Sequence, residues 1–399
     1  MQQATVFKEL QSSKGFWSVM SILVLIILLA AVAFFYMEHN GHWVTGMNNQ
    51  VVWGMPHVFA IFLIVSASGA LNIASISSVF DRKVYKPLSR MSAVLAVSLL
   101  AGGLAVLVLD LGRPDRLIVA MTEYNFKSIF AWNIYLYTGF FVIVLAYLWV
   151  MMEPAMSKYS KFAGTFAFLW RLALTTGTGS IFGFIIARQA FDAALMAPMF
   201  VIMSFAFGQA VFMLLLYGIY KACNRELDEN LTRRLRRLFG VLIAAVFYFN
   251  LVFHLTNLYA TEHHGIERFI LLEGGRYTVL FWLGQVLIGT LIPLLLVYGP
   301  QCRHSIKALL TASSLVIVGG LSQIYVLLIG GQAYPLVLFP GKKVSSSFSD
   351  GMVNSYIPSI SEAMLGVGGV ALALAIFIFA AFVLRIAPEK ISYSVQESK

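Results

Sequence analysis

The sequence predicts an all-α polytopic membrane protein with about ten transmembrane helices. Three observations carry this. Of 399 residues, 59% are hydrophobic and only 12% charged, against about 25% charged in soluble domains. Mean hydropathy is +0.82. Apolar runs of about 18 residues or more recur along the whole length, each able to cross a bilayer as a helix. The longest connection, 332–358, is rich in Gly, Pro and Ser and too short for a soluble domain.

The first span lies at 16–37. Its Ala31-Val32-Ala33 resembles a leader cleavage site, but the apolar run from Phe16 is too long for a leader core, and cleavage would spoil the even span count. It is read as an uncleaved helix. The second, 53–80, opens Trp53-Gly54-Met55-Pro56-His57. Proline suits a first helical turn and tryptophan the membrane interface, so His57 lies just inside the hydrocarbon. Ser68, Asn72 and Ser75 then make one polar face.

The third span, 89–111, ends in the most informative run of the sequence, Asp110-Leu111-Gly112-Arg113-Pro114-Asp115-Arg116. Gly112 can take a left-handed conformation and Pro114 stops the helix. Asp110 sits at a helix C-terminus, where the macrodipole disfavours an anion. It needs a partner, and the expected one is Arg113. A plain stop signal with interfacial charges is the alternative reading.

The fourth span, 128–152, opens with Trp132, Asn133, Tyr135 and Tyr137. The fifth, 162–187, carries Arg171 at the depth of Asn72 and closes at Arg188-Gln189. A buried arginine is costly unless hydrated or paired, so these two are read as a packing hydrogen bond or part of a cytoplasmic proton path. The sixth span is 197–221. The seventh, 239–261, carries Asn250, His254, Asn257 and Thr261 on one face, followed by Glu262-His263-His264. Spans at 278–299, 308–331 and 360–384 add Gln285, Gln323 and Glu362. These groups are read as interhelical hydrogen bonding, with a second polar path as the alternative.

Basic residues orient the protein. With both termini on one side, 19 of the 28 Lys and Arg fall there and 8 on the other, with Arg171 inside a span. The positive-inside rule then puts both termini in the cytoplasm of a cell whose inner membrane holds the protein. The net charge of +10 thus mostly encodes topology. The cluster Arg233, Arg234, Arg236, Arg237 suits anionic lipid heads and gives no reason to invoke nucleic acid. Cys223 and Cys302 both fall on the cytoplasmic side, where no disulfide is expected. No Cys-x-x-Cys, no haem-attachment motif and no phosphate loop occurs, so the sequence offers no iron–sulfur cluster, c-type haem or nucleotide site of its own.

Spans two to five therefore all present polar or aromatic groups at the non-cytoplasmic end: Trp53 and His57; Asp110 and Arg113; Asn133 and Tyr135; Arg188. Such a half-buried convergence suits a quinone head group, whose carbonyls need donors and whose reduction needs proton carriers. His57 and Asp110 are the candidate proton-handling pair, and the seven residues together the candidate binding set.

Trp53-Gly54, Leu109-Asp110-Leu111-Gly112-Arg113-Pro114 and Trp132-Asn133 resemble the motifs of the NrfD/PsrC family of integral membrane subunits. The likeness covers roughly 45–335, and the ten-span layout is similar to its HybB/DsrP-like branch, which points to sulfur metabolism. The resemblance implies two four-helix bundles, here 53–195 and 196–335, flanked by 1–52 and 336–399. It implies a quinone site (menaquinone or ubiquinone) in the first bundle near the non-cytoplasmic face. It also implies a partner subunit with ferredoxin-like iron–sulfur clusters on that face, within a membrane oxidoreductase complex. Connections 112–127, 188–196, 262–277 and 332–358 are then the expected docking face, with Arg113, Asp115, Arg116, Glu123, Tyr124, Arg268, Arg276 and Tyr334. Two rival readings are a ten-helix secondary transporter, which should show helices broken at mid-membrane, and a b-haem quinol oxidoreductase subunit, for which His57 and His254 offer at most one axial pair.

Overall fold

The computed structural model describes residues 6–302, 304–336, 339, 342 and 351–389. Ten long helices run through it: α1 Lys14–Asn40, α2 Met55–Ser78, α3 Ser89–Leu109, α4 Ile129–Met152, α5 Ser160–Gly183, α6 Met196–Ala222, α7 Glu229–Tyr259, α8 Arg276–Tyr298, α9 Ile306–Ala333 and α10 Ile360–Val383. Nine are long and apolar enough to span a bilayer; α5 is not among them, because Arg171 and a run of Thr and Gly dilute it. The protein is thus all-α and polytopic. The middle of the 332–358 connection and the tail beyond 389 lie outside the described residues.

The helices close into two rings. α2, α3, α4 and α5 pack in sequence and α5 returns to α2; α6, α7, α8 and α9 do the same. α2 joins the rings by packing along α6, where a methyl group added at Gly69 would overlap the Ser204 carbonyl and one at Gly208 would overlap Gly69 itself. Such small-residue contacts let membrane helices approach backbone to backbone. α10 lies over α2 and α3, and α1 packs on α10, leaving most of its surface outward. A pairing absent from the sequence reading is the short antiparallel ladder of β1 (Phe7–Lys8) with β2 (Ala387–Pro388), which ties the two ends of the polypeptide together on one face.

α2 bends at Leu71, whose amide turns to the Gly69 carbonyl. Just beyond, the fully buried Arg171 of α5 donates to the Ser68 carbonyl at 3.0 Å and to Asn72 Oδ1 at 3.2 Å, with its guanidinium over the Phe168 and Phe205 rings. Asn72 and Arg171 therefore meet as their depths suggested. The predicted basic cluster is divided: Arg233, Arg234 and Arg237 are exposed, but Arg236 is buried and caps the carbonyls of Cys302 and Ser305. It is not available to lipid heads, because it occupies the inward face of the α7 period.

Candidate functional site at the outer end of the first ring

The start of α2 has no capping group of its own. Side chains from distant helices supply one. Gln332 at the end of α9 accepts the amides of Val52 and Trp53, both at 3.0 Å, and donates to the Trp53 carbonyl at 3.0 Å. The Met55 amide donates to the Tyr356 hydroxyl at 2.6 Å, and that hydroxyl donates to Glu362 Oε1 at 2.7 Å. Glu362 is fully buried, and its other oxygen accepts the amides of Gly46 and Ser359. Ser359 and Glu362 form a capping box for α10, so one carboxylate starts α10 and fixes the entry to α2.

Pinned in this way, α2 carries His57 one turn in, with Nδ1 at 2.7 Å from Asp110 Oδ2. The Asp110 side chain is wholly buried, while that of His57 keeps 14% exposure. Beyond this contact, neither His57 Nδ1 nor either Asp110 oxygen has a hydrogen-bond partner among the described residues. A buried carboxylate whose one polar neighbour is an imidazole is costly, and such a group is a candidate for binding or proton exchange. Trp53 makes the adjoining wall. Its ring centroid lies 6.4 Å from that of His57, stacked, and 5.8 Å edge-on from Phe182.

The expected Asp110–Arg113 pair does not form. Gly112 adopts φ +65° and the backbone swings outward, so Arg113 grips Asp115 with two hydrogen bonds of 3.0 Å in the open. That exposed grip lowers the Asp115 pKa and raises that of Arg113. The partner two residues away in water wins over a carboxylate drawn into the ring.

Tyr135 also lies apart from the pair. It is 43% exposed, donates to the Met121 carbonyl, and joins an outer aromatic cluster with Tyr124. The reason is helical period: Asn133 and Tyr137, four apart, face inward, and a residue two away points outward. Asn133 pins α4 to α5 by donating to the Gly177 carbonyl at 3.1 Å, and Tyr137 meets Thr178. Arg188 is a staple. It donates to the carbonyls of Gln332 and Gln50 at 3.0 and 2.8 Å, and its half-burial lowers its pKa. It thus holds the segment leading to Trp53 without itself meeting Asp110.

His57 and His254 stand in different rings, each against its own carboxylate: His254 Nδ1 donates to Glu267 Oε2 at 2.8 Å. They do not form an axial pair. A cavity of about 20 Å³ lies beside His254; that is room for a water, not a ring.

Comparison with known proteins now bears on this arrangement. Residues 43–335 match the family model "Polysulphide reductase, NrfD". The chain belongs to the NrfD family. An Hdr-like menaquinol oxidoreductase integral membrane subunit of Archaeoglobus fulgidus is 29% identical to this NrfD-family protein over 99% of its length and 100% of the relative's. A selenate reductase subunit of Mesobacillus selenatarsenatis is 22% identical over 90% of this protein and 91% of the relative. A polysulfide reductase chain of Wolinella succinogenes is 24% identical over 72% and 96%. The last 64 residues, including Tyr356 and Glu362, lie beyond the stretch that the family model covers.

Proposed function

We propose that the protein is the quinone-interacting membrane subunit of a multi-subunit oxidoreductase, and that the quinone head group is handled at His57 and Asp110. The observation that carries this is the wholly buried Asp110 carboxylate, 2.7 Å from His57 and with no other polar partner among the described residues. The relative named as a menaquinol oxidoreductase subunit over its full length supports a quinol as the substrate, menaquinol before ubiquinol.

The residues suit such a head group. A quinol hydroxyl needs an acceptor, and both Asp110 oxygens have acceptor capacity to spare. The partly exposed His57 meets an incoming ring before Asp110 does, and Trp53 gives it a flat wall. Oxidation of the quinol releases two electrons and two protons. Asp110 takes the two hydroxyl protons one after the other, and His57, 2.7 Å away, relays each outward. The walls of Trp53, Phe182 and Phe191 exclude bulk water.

The electrons leave to, or arrive from, a partner subunit with iron–sulfur clusters, docked on the face opposite the termini, in sulfur metabolism. Exposed Arg116 and Arg268, the latter paired with Glu273, suit a polar-rimmed interface there. Arg276 is exposed on the same side and donates to the Tyr356 carbonyl. The protein sits in the inner membrane with both termini cytoplasmic, as the basic-residue bias favours.

The test is quinol turnover in the assembled complex. His57→Ala combined with Asp110→Asn should abolish it while the complex still forms. Wild-type turnover in that assembled double variant would exclude this site.

A further inference from the structure

We propose that the second ring holds its own proton-exchanging site, built on His254 and Glu267 and serving only the half of the membrane nearest that end. The pair repeats the proportions of His57 and Asp110: 2.8 Å apart, with 14% side-chain exposure on the imidazole and none on the carboxylate. It differs in being fully engaged. Glu267 Oε2 accepts from His254 Nδ1, and Oε1 accepts from Asn257 Nδ2 at 2.9 Å. Sequence spacing hid it, because Glu267 comes from the short helix His264–Arg268 that folds back after α7.

The pair opens on the cavity of about 20 Å³, where one water fits. Among the residues lining that cavity from every surrounding helix, only His254 and Glu267 titrate; Asn250, Asn257, Gln285 and Gln323 supply neutral polar atoms and the remainder is apolar. The polar line continues inward, Gln323 donating to Asn250 at 2.8 Å. It reaches a second cavity of about 10 Å³ with Gln285 and Thr290. Val246, Ile243, Val316 and Phe207 make the apolar part of its lining, and α7 runs about 20 Å from Asn250 before the next charged residue, Arg237. With no charged side chain on that stretch of α7, the pair exchanges protons with the end of the membrane nearest to it.

The proton step is a relay through the imidazole. A proton arriving at Nε2, which bonds no protein group among the described residues, releases the Nδ1 proton to Glu267 Oε2. The outcome is a neutral carboxylic acid and the other imidazole tautomer, with no net change but the added proton. The site touches the quinone-site wall through one loop: Ala190 lines the cavity and Phe191 packs 6.3 Å from the Trp53 ring.

This inference does not depend on the quinone reading, and its test uses no turnover. Infrared difference spectra of the purified complex between high and low pH should contain a protonated-carboxyl band that shifts in heavy water. That band should vanish in Glu267→Gln, and its midpoint pH should move in His254→Gln. It should persist in Asp110→Asn and Glu362→Gln. Absence of the band from the wild-type protein, or its persistence unchanged in Glu267→Gln, would overturn the proposal. Should Glu267→Gln fail to assemble, an unmoved midpoint in His254→Gln overturns it equally.

Discussion

Asp110 shows what one residue's surroundings decide. Its position at a helix end, before a glycine, already made it costly; the ring then buried it with His57 as its one polar neighbour among the described residues. Asp110→Asn keeps the shape and removes the proton acceptor. Quinol turnover should fall by about 10²–10⁴-fold, the usual worth of a positioned acid–base group, with the complex assembling normally. Arg113→Ala, by contrast, breaks only an exposed pair with Asp115 and should leave turnover near wild type. If steady-state kinetics showed the two variants equally impaired, Arg113 would be Asp110's working partner after all.

Among the elements, α2 is held from outside itself. Its first turn depends on Gln332 of α9 and on Tyr356 and Glu362 at the start of α10. Glu362→Ala leaves the buried Tyr356 hydroxyl and two half-buried amides without their acceptor. We expect a loss of about 1–3 kcal/mol, the penalty for stranding buried polar groups, read as a lowered Tm of the purified complex. Gln332→Leu should act more narrowly. It frees the segment before His57, and turnover should drop while α9 and the second ring stay intact. An unchanged Tm in Glu362→Ala would mean that α10 is not what fixes α2.

For the molecule as a whole, the tests concern sidedness and partners. A periplasm-active reporter fused after Lys399 should be silent, since 19 basic residues lie on the terminal side against 8. The β1–β2 ladder requires the start of the polypeptide to share that side. Charge reversal at Arg116 and Arg268 should weaken co-purification of a cluster-bearing subunit, whereas reversal at the exposed Arg234 and Arg237 should not. The opposite pattern would put the partner on the face of the two termini and move the point of electron entry with it.

Apolar runs placed all ten helices, with α5 the weakest because Arg171, Thr and Gly dilute it, and their ends to within a few residues, except α7, which starts about ten residues earlier on a polar turn rich in arginine. This follows because a bilayer imposes length and apolarity on each helix separately, so the information is local. Gly112 and Pro114 marked the end of α3 for the same local reason, and the Ser359–Glu362 spacing of a capping box was there to be read. The partners of polar side chains were not. Asp110 turned from Arg113 to His57, Tyr135 gave way to Tyr137, and Arg236 left the basic cluster for the carbonyls of Cys302 and Ser305. Each choice depends on which helix stands opposite and on how it is rotated. The rotation of Tyr135 could have been foreseen from helical period; the approach of Gln332 to Trp53, or of Glu267 to His254, could not, because it is fixed by how separate helices pack and where the backbone folds back between them.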